Sequence, residues 1–498
     1  MLAYQARPLD PNTVGESWRG SWLKRLNEMP LWPANWMEHQ TRDEYWKHGS
    51  VCENYSDIQV PVLAIDGWAD SYINPVFRIL ENLSVPCRAI MGPWAHVYAH
   101  DGTPAPAMNF LGEAVRWWDY WLKGIDNSVM DEPKIMAWIE DSMPPSSTKP
   151  VSEGRWVNLE GWPSKDIKAK NYALAKGKLT CEKQGGSEEV VLKTPLNHGL
   201  LSGEWMGAGV PGETPPDQRI DNGMSMVFDS EPLSEPLNIL GYPYFEVELS
   251  SDKPNAMLFA SLVDVAPDGA AERVSYGVMN LTHLEGHDKV VYLEPGKKAK
   301  AYVKLDCCGH KFAKGHKVRL SLATSYWPMF WPMPEEAALT IDLNSAEFTL
   351  PNYVGSDNKE PDMQPKSAGK TPVTWMSEGY VDRMISYDIL TDTWTCITNG
   401  VGGVFGEGVY RFDDIDITVE HNLKRELTLC NRDPLSAKYT ITQNMRLGRE
   451  GWWTNSDITI TKTSDMENFY ITGEMTTTEN DKTVFAKKWD YKVKRNGL

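Results

Sequence analysis

Two short stretches set chemistry-bearing side chains directly after apolar runs. Val60-Pro-Val-Leu-Ala-Ile65 leads into Asp66-Gly67-Trp68-Ala69-Asp70, and Val85-Pro-Cys-Arg-Ala-Ile-Met91 leads into Gly92-Pro93-Trp94-Ala95-His96. A carboxylate that accepts from one imidazole nitrogen fixes the tautomer and stabilises the imidazolium, leaving the second nitrogen to take a proton from a nucleophile. Asp70 and His96 are therefore the candidate orienting carboxylate and general base, with Trp68 and Trp94 as candidate walls of a substrate pocket. The plainer alternative is a turn-capping aspartate and a solvent-facing histidine. An attacking serine on a strand-to-helix elbow should sit in G-x-S-x-G, and the sequence contains none. Gly15-Glu16-Ser17-Trp18-Arg19 comes nearest, with Arg19 at the second glycine position and no strand before it. No nucleophile is assigned.

The elements that must position these groups read as an α/β segment. Both apolar runs have the character of buried parallel strands, and sites in open α/β sheets lie at the carboxyl ends of strands. A helix-like stretch runs from Asn74 to Leu83. A longer helix is expected at about Ala107–Lys123, with Leu111, Val115, Trp118 and Leu122 along one face and Gly124 as its stop. Upstream, Asp10 as cap, Pro11 at the first helical position and the series Val14, Trp18, Trp22, Leu26 predict a Trp-rich helix ended by Pro30 and Pro33. After about Asp141 the pattern turns to short alternating strands separated by turn signals such as Pro267-Asp268-Gly269.

The chain has 498 residues and a net charge of −18, with 41% hydrophobic and 24% charged residues. That balance is globular, and its sign argues against a nucleic-acid partner, which needs clustered Lys and Arg. No run approaches the ~20 apolar residues of a membrane-spanning helix, so no membrane association is expected. Seven cysteines, odd in number and without a C-x-x-C pair, fit a reducing, cytoplasmic setting. Metal candidates are thin. His96 with His100 lacks a third ligand, Asp413-Asp414 with Asp416 lacks the glycine and closing glutamate of a calcium loop, and His310 and His316 beside Cys307-Cys308 read better as packed residues. No phosphate loop or dinucleotide fingerprint occurs, so neither metal nor cofactor is expected.

Gly67-Trp-Ala-Asp70, Gly92-Pro-Trp-Ala-His96 and Trp117-Trp-Asp-Tyr-Trp-Leu-Lys-Gly124 together resemble the CocE/NonD family, the cocaine-esterase and X-Pro dipeptidyl-peptidase group of serine hydrolases. Trp156-Val-Asn-Leu-Glu-Gly-Trp-Pro163, Asp264-Val-Ala-Pro-Asp-Gly269 and Gly315-His-Lys-Val-Arg-Leu-Ser-Leu-Ala-Thr-Ser-Tyr-Trp-Pro328 resemble that family's non-catalytic C-terminal domain. The resemblance runs to about Leu350. It implies an α/β plus all-β chain. Residues 1–57 would be a helical cap remnant and 58–145 the C-terminal part of an α/β-hydrolase domain. A jelly-roll sandwich would follow at 146–354, a linker at 355–372 and a further β-rich region at 373–498.

The resemblance assigns Asp70 and His96 to a Ser-His-Asp triad acting on ester or amide bonds, acyl or X-Pro dipeptidyl. The serine and oxyanion hole would belong to a part lying before Met1, so the chain is expected to be truncated and inactive alone, with an upstream fragment supplying the serine. Self-association in the family implies a homodimer. The alternative is a binding module without catalysis, with Trp327, Phe330 and Trp331 as an exposed platform for carbohydrate or another partner.

Overall fold

The computed structural model describes residues 2–183, 188–356, 359–366, 369 and 371–498. It is mostly strand with few helices, and it forms two compact units. One comprises Asp43–Phe330 with Glu336–Ala368, the other Met1–Arg42, Trp331–Glu335 and Gly369–Leu498. Among the described residues no helix is long and apolar enough to cross a membrane.

The larger unit holds three neighbouring strands, the first two of them at the apolar runs that read as strands. β1 (Val62–Gly67) pairs parallel to β2 (Cys87–Gly92), and β2 pairs parallel to β3 (Ile135–Asp141). The helix Ile73–Asn82 connects the first two and buries Ile73, Val76 and Phe77. β3 continues antiparallel into Gly154–Leu159 and parallel, at His310 and Lys311, into the strand Cys308–Phe312. The α/β segment and the β-rich segment therefore share one hydrogen-bonded sheet and one compact unit. The β-rich part curls around a core that includes Phe228, Phe245, Leu258, Leu320 and Phe348, all essentially inaccessible to water. Among the described residues β1 is paired on one side only.

The helix Phe110–Lys123 forms where the periodicity predicts it, capped by Asn109 and ended by left-handed Gly124. Its buried side is the other one. Val115, Trp118 and Leu122 are exposed, while Glu113 and Trp117 are buried. The reason is ionic. Buried Arg88 on β2 pairs with Glu113 at 3.1 Å and with Glu132, and Arg116 joins both acids at 2.8 Å. A buried guanidinium demands carboxylate partners, and that demand turns the charged face inward.

In the smaller unit, five long strands from Ile417 to Lys494 form an antiparallel meander. The N-terminal residues lie on it. Trp22, Leu26 and Leu31 pack with Ile417, Met445, Leu447, Ile471 and Trp489. The Trp22 indole donates to the Ala6 carbonyl at 2.7 Å. The compact units thus divide the chain elsewhere than the motif boundaries do: residues up to Arg42 associate with the C-terminal β region. Of the linker expected at 355–372, residues 357, 358, 367, 368 and 370 lie outside the described residues, and Asp362 is tied to Asn109 by a backbone and a side-chain hydrogen bond of 2.7 Å each.

Candidate active site

β1 ends at Gly67 and β2 at Gly92, and the loops after them are stitched together. The backbone N–H of Trp68 donates to the Gly92 carbonyl at 2.9 Å, and that of Ala69 to the Trp94 carbonyl at 3.0 Å. A Cβ on Gly67 would stand 2.0 Å from the Trp94 carbonyl oxygen, and one on Gly92 2.5 Å from the Trp94 indole. Glycine is needed at both positions for that close approach. The stitching brings Asp70 and His96 together. His96 Nδ1 donates to Asp70 Oδ2 at 2.8 Å. Asp70 Oδ1 accepts from the backbone N–H groups of Ser71 at 2.5 Å and Tyr72 at 3.1 Å, which fixes the carboxylate. The Asp70 side chain is 7% exposed and that of His96 49%. His96 Nε2 has no hydrogen-bond partner among the described residues. The ring stands 5.6 Å from that of Tyr72.

A third group was not foreseen from the sequence. Asp66, the last acidic residue of β1, lies close enough to Asp70 to feel its charge, and its Oδ1 accepts from the Gly67 backbone N–H at 2.8 Å. Burial and the neighbouring Asp70 charge push Asp66 up to about 7. The only signal was a carboxylate four residues ahead of Asp70 at a strand end.

Of the two expected pocket walls, Trp68 lines a cavity of about 240 Å³ together with Asp70, Ser71 and Ala95. Its indole donates to the Trp138 carbonyl at 2.6 Å. Trp94 does not line it. Its side chain is fully buried and its indole donates to the Pro106 carbonyl at 2.7 Å, so it is core filling under the loop. The cavity's far side is charged: Glu140, Glu204, Glu213, Glu272 and Asp306 with Lys149 and Arg273 among them. Burial opposes the charge on Lys149, yet Glu140 and Glu272, each at 3.2 Å, hold it protonated above the ordinary lysine range.

His310 and His316 converge on Asp264, at 2.9 and 2.8 Å, and the Ser142 hydroxyl donates to the same carboxylate. Cys308 Sγ instead faces the Gly241 carbonyl at 3.8 Å. Asp264, Glu272 and His310 have their ligand-type atoms within 4.8 Å of one another, but Lys149 already supplies the cation there. His100 stacks on Phe110, 5.8 Å between ring centres. Ser17 closes a single 3-10 turn in the smaller unit, its hydroxyl donating to the Val14 carbonyl, with no strand before it. The expected aromatic platform is not an open strip: Trp327 is fully buried, and Trp331 packs on Tyr439 at 5.1 Å.

Comparison with known proteins agrees with this architecture. Residues 127–364 match the model of the X-Pro dipeptidyl-peptidase C-terminal non-catalytic domain, and residues 1–98 match that of the X-Pro dipeptidyl-peptidase S15 family. The cocaine esterase of a Rhodococcus species is 21% identical over 321 residues, covering 59% of this chain and 54% of that protein. A CocE/NonD family hydrolase from Staphylococcus aureus superposes with a TM-score of 0.52 at 12% identity, over 67% of this chain and 61% of the other. An aminopeptidase from a Thaumarchaeota archaeon gives 0.53 at 18% identity, over 67% and 62%. The chain spans about half the length of the curated relatives it matches. Both family models of the X-Pro dipeptidyl-peptidase group thus match, each over less than half of the chain, and the relatives to which the chain is similar are CocE/NonD and X-Pro dipeptidyl-peptidase proteins.

Proposed function

We propose that the chain carries the histidine and aspartate of a serine hydrolase that cleaves ester or amide bonds, with the serine supplied by a polypeptide segment other than these residues. The observation that carries this reading is the Asp70–His96 contact of 2.8 Å, with the carboxylate fixed by two backbone N–H groups and the second imidazole nitrogen open. A serine hydroxyl at Nε2 would attack the acyl carbon while His96 takes its proton. His96 then returns that proton to the departing alcohol or amine, and water cleaves the acyl-serine by the same route in reverse. Asp70 holds the ring and stabilises its positive charge throughout. The carboxylate-rich cavity beside the pair favours acyl or dipeptidyl groups carrying positive charge.

Two further features support a missing partner segment. β1 has an unpaired side among the described residues, and Val115, Trp118 and Leu122 form an exposed apolar stripe on one helix. Unpaired strand edges and apolar stripes are surfaces that a partner normally covers. The β-rich part of the larger unit is read as the family's jelly-roll domain.

The test is hydrolysis of an activated ester. The 498-residue protein alone should show no enzyme-like turnover, since loss of one triad member costs several powers of ten. Co-expression with a family segment bearing a G-x-S-x-G serine should restore turnover, and His96→Ala should abolish it. Turnover by the chain alone that disappears in His96→Ala, or restored turnover indifferent to that substitution, would sink the reading.

A further inference from the structure

The smaller unit contains a cavity unrelated to the Asp70–His96 pair. It has a volume of about 840 Å³ and lies between the N-terminal helical segment and the face of the long-stranded sheet. That volume is within the usual range for small-molecule sites. Its walls are apolar, with Ile417, Val419, Leu447 and Trp452 on the sheet side and Met29 and Trp32 opposite.

Two guanidinium groups stand in this wall, Arg7 and Arg25, and neither has a carboxylate partner among the described residues. Arg7 Nε donates to the Tyr4 carbonyl at 3.0 Å. Arg25 donates from one Nη to the Arg7 carbonyl, while its Nε is buried without any hydrogen-bond partner. The other charges at the cavity are already matched. Asp10 is held in a fork by Arg449 at 2.6 and 3.1 Å, and Lys24 faces Glu28 at 4.0 Å. Burial and the nearby Arg7 charge weaken the hold of Arg25 on its proton, as expected where two cations share a site without an anion. A chain of net charge −18 has carboxylates in excess, yet among the described residues none forms an ion pair with either guanidinium.

An apolar trough beside two unmatched guanidinium groups has the chemistry of a site for an anion with a long apolar tail. We propose that this cavity binds a long-chain carboxylate, its tail against Ile417, Val419, Leu447 and Trp452 and its carboxylate on Arg7 and Arg25. Two planar donor forks suit two carboxylate oxygens. Removing the anion's partner while leaving it at an apolar wall costs binding, because a desolvated charge needs its hydrogen bonds.

Calorimetric titration of the 498-residue protein tests this with four probes: dodecanoate, dodecyl phosphate, 1-dodecanol and acetate. Dodecanoate should bind with one-to-one stoichiometry and tighter than the other three. Arg7→Gln with Arg25→Gln should weaken dodecanoate by about tenfold or more and leave 1-dodecanol unaffected. Arg7→Gln alone, at an exposed side chain, should weaken it without changing the melting temperature. No binding of dodecanoate to the wild-type protein would overturn the proposal. So would equal affinity for 1-dodecanol, tighter binding of dodecyl phosphate, or indifference to Arg7→Gln in a protein with an unchanged melting temperature.

Discussion

Two aspartates of the larger unit meet imidazoles at nearly equal distances, and their surroundings are opposite. Asp70 meets His96 at 2.8 Å. Asp264 meets His310 at 2.9 Å and His316 at 2.8 Å, and also takes the Ser142 hydroxyl. The His96 side chain is 49% exposed with one nitrogen open, whereas that of His310 is 3% exposed. Burial disfavours charge on both members of the second pair. Even so, their mutual hydrogen bond and attraction keep Asp264 below and His310 above the ordinary ranges. Geometry between two groups does not distinguish a proton relay from a structural cross-link. What distinguishes them is whether the second ring nitrogen remains unused and reachable.

That contrast is open to direct attack. The largest effect should come from Asp264→Ala, which leaves the buried His310 ring and the Ser142 hydroxyl without their partner. A loss of ~3–5 kcal/mol is expected in urea unfolding, and a loss below about 1 kcal/mol would make this pair no more structural than the exposed one. Next is Gly67→Ala. Its Cβ would meet the Trp94 carbonyl oxygen, a backbone atom that cannot swing aside, so ~1–3 kcal/mol should be lost. An unchanged melting curve would show that the two loops are not locked together as described.

Smaller, and dependent on pH, is Asp66→Asn. The folded carboxyl is pushed up to about 7, above the ordinary value of 3.8. A raised folded value means that Asp66 favours the native state fully below about 3.8 and that this contribution is lost as pH rises through about 7. Asp264 runs the other way: its folded value is lowered, so its contribution is present above 3.8 and lost as pH falls through the folded value. Asp66→Asn should therefore flatten the decline in melting temperature toward neutral pH. Parallel wild-type and variant curves would remove Asp66 from the site. The smallest effect on stability should be that of His96→Ala, within about 0.5 kcal/mol. A drop of several kcal/mol would mean that His96 is a structural residue after all.

Much of the local structure was legible. The runs ending at Ile65 and Met91 form strands, and Asp10, Pro11 and Gly124 punctuate helices where capping chemistry requires. The meeting of Asp70 and His96 followed from adjacent strand ends. Other features were not legible. An indole after a strand end reads alike whether it lines a pocket, as Trp68 does, or fills the core, as Trp94 does. The apolar periodicity of the Phe110–Lys123 helix defined a face, but Arg88 decided which face is buried. Asp66 carried no assignment, because its closeness to Asp70 depends on the turn that Asp70 closes onto the Gly67 carbonyl.

By itself, then, the sequence determined where several strands and helices lie, which side chains stand at strand tips and the family the motifs resemble, because these depend on residues close together in the chain. Only the tertiary structure decided that residues 142, 264, 310 and 316 meet at one carboxylate, that residues up to Arg42 pack on a sheet beginning more than 300 residues later, and that Arg7 and Arg25 share an apolar trough. Such meetings close long loops, and their free energy comes from burial and charge pairing between segments that no local pattern can match to one another.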